Sequence, residues 1–184
     1  MGNQEEAYRN LNQDVIDGCK KGDQKAQFQL YKLYYRSMYN TSLRIVSDYT
    51  EAEDIMQESF LAAFEKINTY SGKVSFGSWL KKIVVNRSLD ALRKKRIEII
   101  ELSEQSTQIE EEKEINEVEI HYEIEKIKEA MENLPDGYRV VLSLYLFEGY
   151  DHDEIAEILG IHSSTSRSQF ARAKRRLLKN IEQA

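Results

Sequence analysis

The chain has 184 residues, room for one large or two small domains, and its single proline and eight glycines disfavour a many-stranded all-β architecture. A formal charge of −6 argues against nucleic acid as a total, yet residues 166–184 carry six bases against one acid and residues 87–97 five against one, leaving two basic patches; screening acts over roughly 10 Å, so a ligand meets these local fields. The lone Cys19 excludes an intrachain disulfide and suits a reducing cytoplasm, the polar N-terminus shows no signal peptide, and the longest apolar run, residues 140–147, falls far short of the roughly 20 residues needed for membrane insertion.

Residues 1–9 read as a polar tail and 11–20 as a short helix, ended by the Gly22-Asp23 turn and cap. A long helix follows, with Phe28, Tyr31, Tyr35 and Met38 on one stripe, widened by Leu30, Leu33 and Tyr34. A break at Ser47-Asp48 leads into a third helix, where Ala52, Ile55, Met56, Phe60, Ala63, Phe64 and Ile67 recur at amphipathic three-and-four spacing. Asp54, Gln57, Glu58 and Leu61 fall on its other side, where polar groups beside an exposed leucine suit a protein docking surface as an alternative to an ordinary solvated face. Residues 68–75 form a loop punctuated by Gly72. The next helix, from Phe76 to about Arg96, turns Leu80, Ile83, Val84 and Leu92 inward. Aromatics open it and bases close it, a mixture that suits stacking on unpaired bases with phosphate neutralisation nearby; the plain alternative is that Trp79 is core. These elements make one helical domain over residues 10–96.

Residues 97–118 are acidic and weakly periodic and read as a flexible linker with a capacity to become partly helical. A second domain, 119–184, opens with the stripe Ile120, Ile124, Ile127 and Met131, and Leu134-Pro135 ends that helix because proline disfavours helical geometry in the residue before it. After a helix from Tyr138 to Phe147 and a Gly149-Tyr150 turn, Asp151 and Glu154 stand at capping-box spacing. Ile155, Ala156 and Leu159 share a face of the short helix they start, Gly160 suits its left-handed end, and Ser163 or Ser164 can cap the helix that follows. In that last helix Ser166, Phe170, Ala173 and Leu177 face inward, although an apolar side chain is commoner where Ser166 stands; Ser164, Ser168, Arg172, Arg175 and Lys179 point away. Two short helices around a tight turn, the second basic and hydroxyl-rich, fit helix-turn-helix docking in the DNA major groove. Base contacts then fall to Ser164, Thr165, Arg167 and Ser168, and phosphate contacts to Arg172, Lys174, Arg175 and Arg176.

Catalysis finds no support. His121, His152 and His162 lack metal-ligand spacing, Cys19 has no evident activating partner, and no glycine-rich phosphate loop occurs, so neither a cofactor nor a metal is expected. The closer rival is a dimeric helix-turn-helix regulator, which would favour palindromic sites.

Taken in order, Asp54-Ile-Met-Gln57-Glu58-Ser-Phe60, the helix from Phe76 to Arg96, Leu134-Pro135 and the run from Glu154 to Arg172 resemble the small bacterial sigma factors of the extracytoplasmic-function (ECF) group of the sigma-70 family. The resemblance implies an all-α chain of two small domains: a region 2 bundle over 10–96 and a region 4 helix-turn-helix over 119–184. It implies that Asp54, Gln57, Glu58, Phe60 and Leu61 dock core RNA polymerase. It further implies that Tyr70, Lys73, Trp79, Lys82, Asn86, Arg87 and Arg93 engage the opened −10 strand of promoter DNA, that region 4 reads the −35 duplex, and that an anti-sigma factor masks one or both domains.

Overall fold

The computed structural model describes residues 12–102 and 121–183, and the regular elements among them are all helical. In chain order they are α1 (Gln13–Lys20), α2 (Gln24–Val46), α3 (Tyr49–Glu65), a 3-10 turn at Ile67–Thr69, α4 (Phe76–Leu102), α5 (His121–Glu132), α6 (Asp136–Leu146), α7 (His152–Leu159) and α8 (Ser163–Gln183). They divide into two compact units, one running up to Leu43 and over Asp48–Asp90, the other holding Arg44–Ser47 and the residues from Ala91 onward. The N-terminal tail and most of the acidic linker lie outside the described residues. The linker's first six residues continue α4, which ends at Leu102 and not at Arg96; the run Ile-Glu-Ile-Ile-Glu-Leu holds no proline or glycine to stop it. Among the described residues no helix is long and apolar enough to cross a membrane.

In the first unit, α1 buries Ile16 and Cys19. It meets α2 at Gly18, where an added Cβ would sit 2.8 Å from the Cβ of Ala26. Gly22 takes the left-handed turn between them at φ 80°, and Asp23 accepts from Lys25 N at 2.8 Å to start α2. Asp48 caps α3 by accepting from Glu51 N at 2.9 Å, and Ser75 caps α4 by accepting from Ser78 N at 3.1 Å. The core joins Ile16, Leu30, Met38, Met56, Phe60, Ala63, Ile67, Tyr70, Phe76, Leu80 and Val84. A buried hydrogen bond from Ser88 Oγ to Ser42 Oγ, 3.1 Å, ties α4 to α2. Of the stripe expected on α3, Ala52, Ile55, Met56, Phe60 and Ala63 are buried and Phe64 half-buried, with Ile67 buried in the 3-10 turn beyond it, but on α2 two members of the expected apolar set face solvent: Phe28 is 57% and Leu33 54% exposed. That helix carries aromatics on several faces, and the three helices packed against it cover only some of them.

In the second unit, Met131, Leu134, Leu142 and Ala173 form the core, with Tyr138, Phe170 and Leu177 packed against it. Ile127, expected in the α5 stripe, is exposed; Ile120 and the side chain of Ile124 lie outside what the structure describes. Pro135 stands at the N-cap of α6, as expected of a residue that ends one helix and opens the next. The buried Arg139 guanidinium donates to Leu134 O at 2.9 Å and to Asp136 Oδ1 at 2.6 Å, holding the α5–α6 corner. Asn180 donates to Ala130 O at 3.2 Å and fastens the end of α8 to α5.

Candidate nucleic-acid interface

The α7–α8 pair is built by local chemistry. Asp151 accepts from Asp153 N at 2.9 Å and Glu154 N at 2.8 Å, while the Glu154 carboxylate accepts from Asp151 N at 2.9 Å, completing the capping box. Gly160, at φ 67°, ends α7 in the left-handed region, and Ile161 N donates back to Ala156 O at 3.0 Å, closing a Schellman-type turn. One detail differs from expectation. The last helix begins at Ser163, so His162 occupies the position before it and its carbonyl accepts from Thr165 N and Ser166 N at 2.9 and 3.1 Å. Ser163 Oγ instead accepts from Arg167 Nη2 at 3.0 Å.

The inward face of α8 is as expected: Ser166 and Ala173 are fully buried, Phe170 and Leu177 partly so. The opposite face is polar. Ser164, Arg167, Ser168, Arg172, Lys174, Arg175 and Arg176 are exposed and Thr165 is half-buried. Among the described residues none of these arginines or Lys174 forms an ion pair, so their charge is available to an anion. At 100° per residue Ser164, Ser168, Arg172 and Arg175 form the outward stripe, with Arg167 and Lys174 on one flank and Thr165 and Arg176 on the other. In helix-turn-helix docking the N-terminal turn of such a helix meets base edges, so Ser164, Thr165, Arg167 and Ser168 are the candidates for bases and the later arginines and Lys174 those for phosphates.

On α4, Lys82 and Asn86 are exposed on the stripe that begins at Trp79 and reaches Arg93, also exposed. Lys73 is exposed in the preceding loop. Arg87 sits a quarter-turn away and pairs with Glu58 of α3 at 2.8 Å, an exposed bridge of the kind worth at most about 1 kcal/mol. Two residues expected to meet the opened strand are instead scaffold or half-scaffold. Tyr70 is buried, its hydroxyl donating to Val74 O at 2.6 Å, and cannot stack on a base from there. Trp79 is half-buried, with ring centroids 5.4 Å from Tyr70 and 5.5 Å from Phe76, so at most one edge is free. The Tyr70–Phe76–Trp79 cluster fixes the ends of the 68–75 loop.

On α3 Asp54, Gln57, Glu58 and Leu61, expected to dock a protein partner, are exposed together, Leu61 at 65%. Phe60 is a correction: it is 2% exposed and lies edge-on to Tyr31, 4.9 Å between ring centroids, so it supports the surface from beneath. Beside this surface runs a shallow groove between α2 and α3 of about 390 Å³, lined by Tyr31, Tyr35, Arg36, Tyr39, Asn40, Glu53 and Met56. The sequence offered a signal for it in tyrosines at 31, 35 and 39, one helical turn apart, of which Tyr31 and Tyr35 were read only as part of the apolar stripe of α2. Burial first, then the nearby Tyr49 and Glu53, pushes the Tyr39 phenol above its ordinary value. Among the described residues no three His, Cys, Asp or Glu side chains gather as a metal site.

Residues 30–97 match the family described as Sigma-70 region 2, and residues 124–177 that described as Sigma-70, region 4. The chain is 30% identical to the ECF RNA polymerase sigma factor SigW of Bacillus subtilis, covering 90% of this chain and 94% of that protein, and 26% identical to the RNA polymerase sigma-H factor of Pseudomonas aeruginosa, covering 92% and 93%. Its fold is similar to that of the sigma factor RpoE from Bartonella quintana, solved in complex with the anti-sigma factor NepR (TM-score 0.59, 20% identity, covering 84% of this chain and 95% of that one). It is also similar to CnrH, solved with the cytosolic domain of CnrY (TM-score 0.56, 19% identity, covering 93% and 97%).

Proposed function

The chain belongs to the sigma-70 family as an ECF sigma factor, which binds core RNA polymerase and directs promoter recognition without being an enzyme, and from that premise we propose how its residues share the task. The region 4 part, residues 119–184, reads the −35 duplex. Ser164, Thr165, Arg167 and Ser168 meet base edges, while Arg172, Lys174, Arg175 and Arg176 meet phosphates on both sides of the groove. The region 2 part, residues 10–96, engages the opened −10 strand through Lys73, Lys82, Asn86, Arg87, Arg93 and the free edge of Trp79. Tyr70 holds the loop. Asp54, Gln57, Glu58 and Leu61 dock the polymerase, with the α2–α3 groove extending that surface and Phe60 beneath it.

The observation that carries this reading is the unpaired basic and hydroxyl-rich face of α8, presented by a capped helix-turn-helix. Splaying bases from the duplex costs a few kcal/mol per step, which polymerase contacts help offset, so the isolated chain binds promoter DNA weakly. An anti-sigma factor is the regulatory partner we assign, on the strength of the complex that the fold relative RpoE forms with the anti-sigma factor NepR. The test is runoff transcription with purified core polymerase on genomic fragments, with start sites mapped. Two dissimilar elements at fixed spacing upstream of new starts are expected. Tight, palindrome-specific binding without polymerase would instead establish the dimeric regulator.

A further inference from the structure

We propose that a polar pair inside the helix-turn-helix, His152 and Ser166, sets the pose of the recognition turn of α8 and thereby helps determine which −35 sequence is read. The inference rests on the assignment of α8 to the −35 duplex. Ser166 is fully buried on the inward face, between Thr165 and Arg167, both assigned to bases. A buried hydroxyl needs a partner to replace the water it has lost. That partner is His152 Nδ1, 2.9 Å away on the first residue of α7. The imidazole is held on two further sides. It stacks on Tyr145 of α6 at 4.6 Å and 20°, and stands edge-on to Phe170 of α8 at 5.6 Å. Tyr145 itself touches Phe170 at 4.6 Å. One ring thus ties α6, α7 and α8 together beside the residues assigned to bases.

The consequence is directional. Apolar contact at position 166 would tolerate a small roll of α8 about its axis, whereas a hydrogen bond weakens steeply once its angle is lost. With side-chain tips about 6 Å from the helix axis, a 20° roll moves them by about 2 Å, enough to separate a donor from a base edge. Ser164, Thr165, Arg167 and Ser168 are within two residues of the anchor and feel such a roll first. His152 acts through Ser166 as a positioning residue, not as a DNA contact.

The experiment uses holoenzyme assembled from core polymerase and the full chain, on a mapped promoter with its −35 element intact, singly substituted or scrambled. His152→Phe keeps the ring stack and removes the bond; Ser166→Ala removes the other partner; His152→Asn keeps a bonding atom at the Nδ1 place without the ring. His152→Phe and Ser166→Ala are each expected to lower initiation on the intact promoter roughly tenfold, the scale of a lost buried hydrogen bond. Both are expected to alter the ranking of the singly substituted −35 elements. The double variant is expected to lose no more than the worse single, and His152→Asn to recover the wild-type ranking. Initiation on the scrambled promoter stays at the wild-type level in every variant. An unchanged ranking, or additive losses that track a lower melting temperature, would overturn the positioning role. If His152→Phe folds poorly, Ser166→Ala, which removes a single oxygen, carries the same comparison. If scrambling the −35 element leaves the wild type unaffected, the assignment of α8 to that element fails first, and the proposal with it.

Discussion

Replacing Lys174 and Arg176 together by glutamine tests the groove geometry of α8 most directly. The two side chains are exposed, lack ion-pair partners among the described residues, and lie about 160° apart around the helix, one on each flank of the outward stripe. A helix lying in the major groove turns one flank to each phosphate wall, so each base neutralises its own phosphate. Each neutralised phosphate adds about −0.9 to the slope of log K against log salt, so raising salt from about 50 to 200 mM costs about 3.5-fold in affinity per contact. Arg172, Lys174, Arg175 and Arg176 together therefore account for about 150-fold over that range, and the double variant retains about 12-fold of it, its slope shallower by about 1.8. The measurement is a fluorescence anisotropy titration of a labelled promoter fragment with holoenzyme at several salt concentrations, comparing slopes so that polymerase contacts cancel. Glutamine stays polar and has a similar helix propensity, so the fold is expected to persist. Parallel slopes for wild type and variant, with equal melting temperatures, would refute the assignment of both flanks to phosphate.

Phe60→Ala is expected to destabilise the first unit by about 3–5 kcal/mol in a denaturant melt, as a buried aromatic truncation does, whereas Leu61→Ala, one residue on but exposed, leaves the melt within about 0.5 kcal/mol and weakens core-polymerase pull-down. Asn86→Ala is expected to reduce open-complex formation on duplex promoter while a template with a pre-opened −10 bubble restores much of it; equal loss on both templates would argue against a melting role. Gly18→Val places a branched side chain where even a Cβ meets Ala26 at 2.8 Å, and is expected to cost about 1–3 kcal/mol by forcing α1 off α2, read as a lower melting temperature. Burial, and secondarily Asp23, raises the Cys19 thiol above its ordinary 9.0, so the folded chain holds the proton more tightly than the unfolded one; the stability this contributes is intact below about pH 9 and declines as pH rises from there toward the folded value. In alkaline denaturant melts the stability difference between wild type and Cys19→Ala is expected to be constant below that pH and to shift against the wild type above it.

The parts of the fold that were legible are those specified by neighbouring residues. The α7–α8 pair is a local product of Asp151, Glu154, Gly160 and a one-sided apolar stripe, and its boundaries fall within a residue or two of those read from the chain. The α3 stripe was legible for the same reason, since each member is placed by helical periodicity alone. Phe28, Leu33 and Ile127 were misread because periodicity states which residues share a face, not which faces a neighbouring helix covers. The end of α4 was misread because charge composition marks solvation, and an acidic stretch without glycine or proline is still competent to form helix.

The misplaced site residues follow one rule. Phe60, Tyr70 and, in part, Trp79 entered the candidate set because they lie inside runs that resemble functional regions, yet a recognisable run contains its scaffold as well as its contacts. Physical chemistry separates the two: a large aromatic at a position that shares a face with buried neighbours gains more from leaving water than from waiting for a partner. Phe60 repeats at the spacing of Met56 and Ala63, both buried, and Tyr70 and Trp79 bracket the buried Phe76. On α3 the residues that remain on the surface of this run are polar or charged, except Leu61. An exposed leucine among Asp54, Gln57 and Glu58 gains little from the folded chain alone, and under the docking we propose it is the apolar side chain of this face that a partner would bury. Buried aromatics beneath and one exposed aliphatic above is the arrangement of an interface already ordered before its partner arrives, which lowers the entropy lost on assembly.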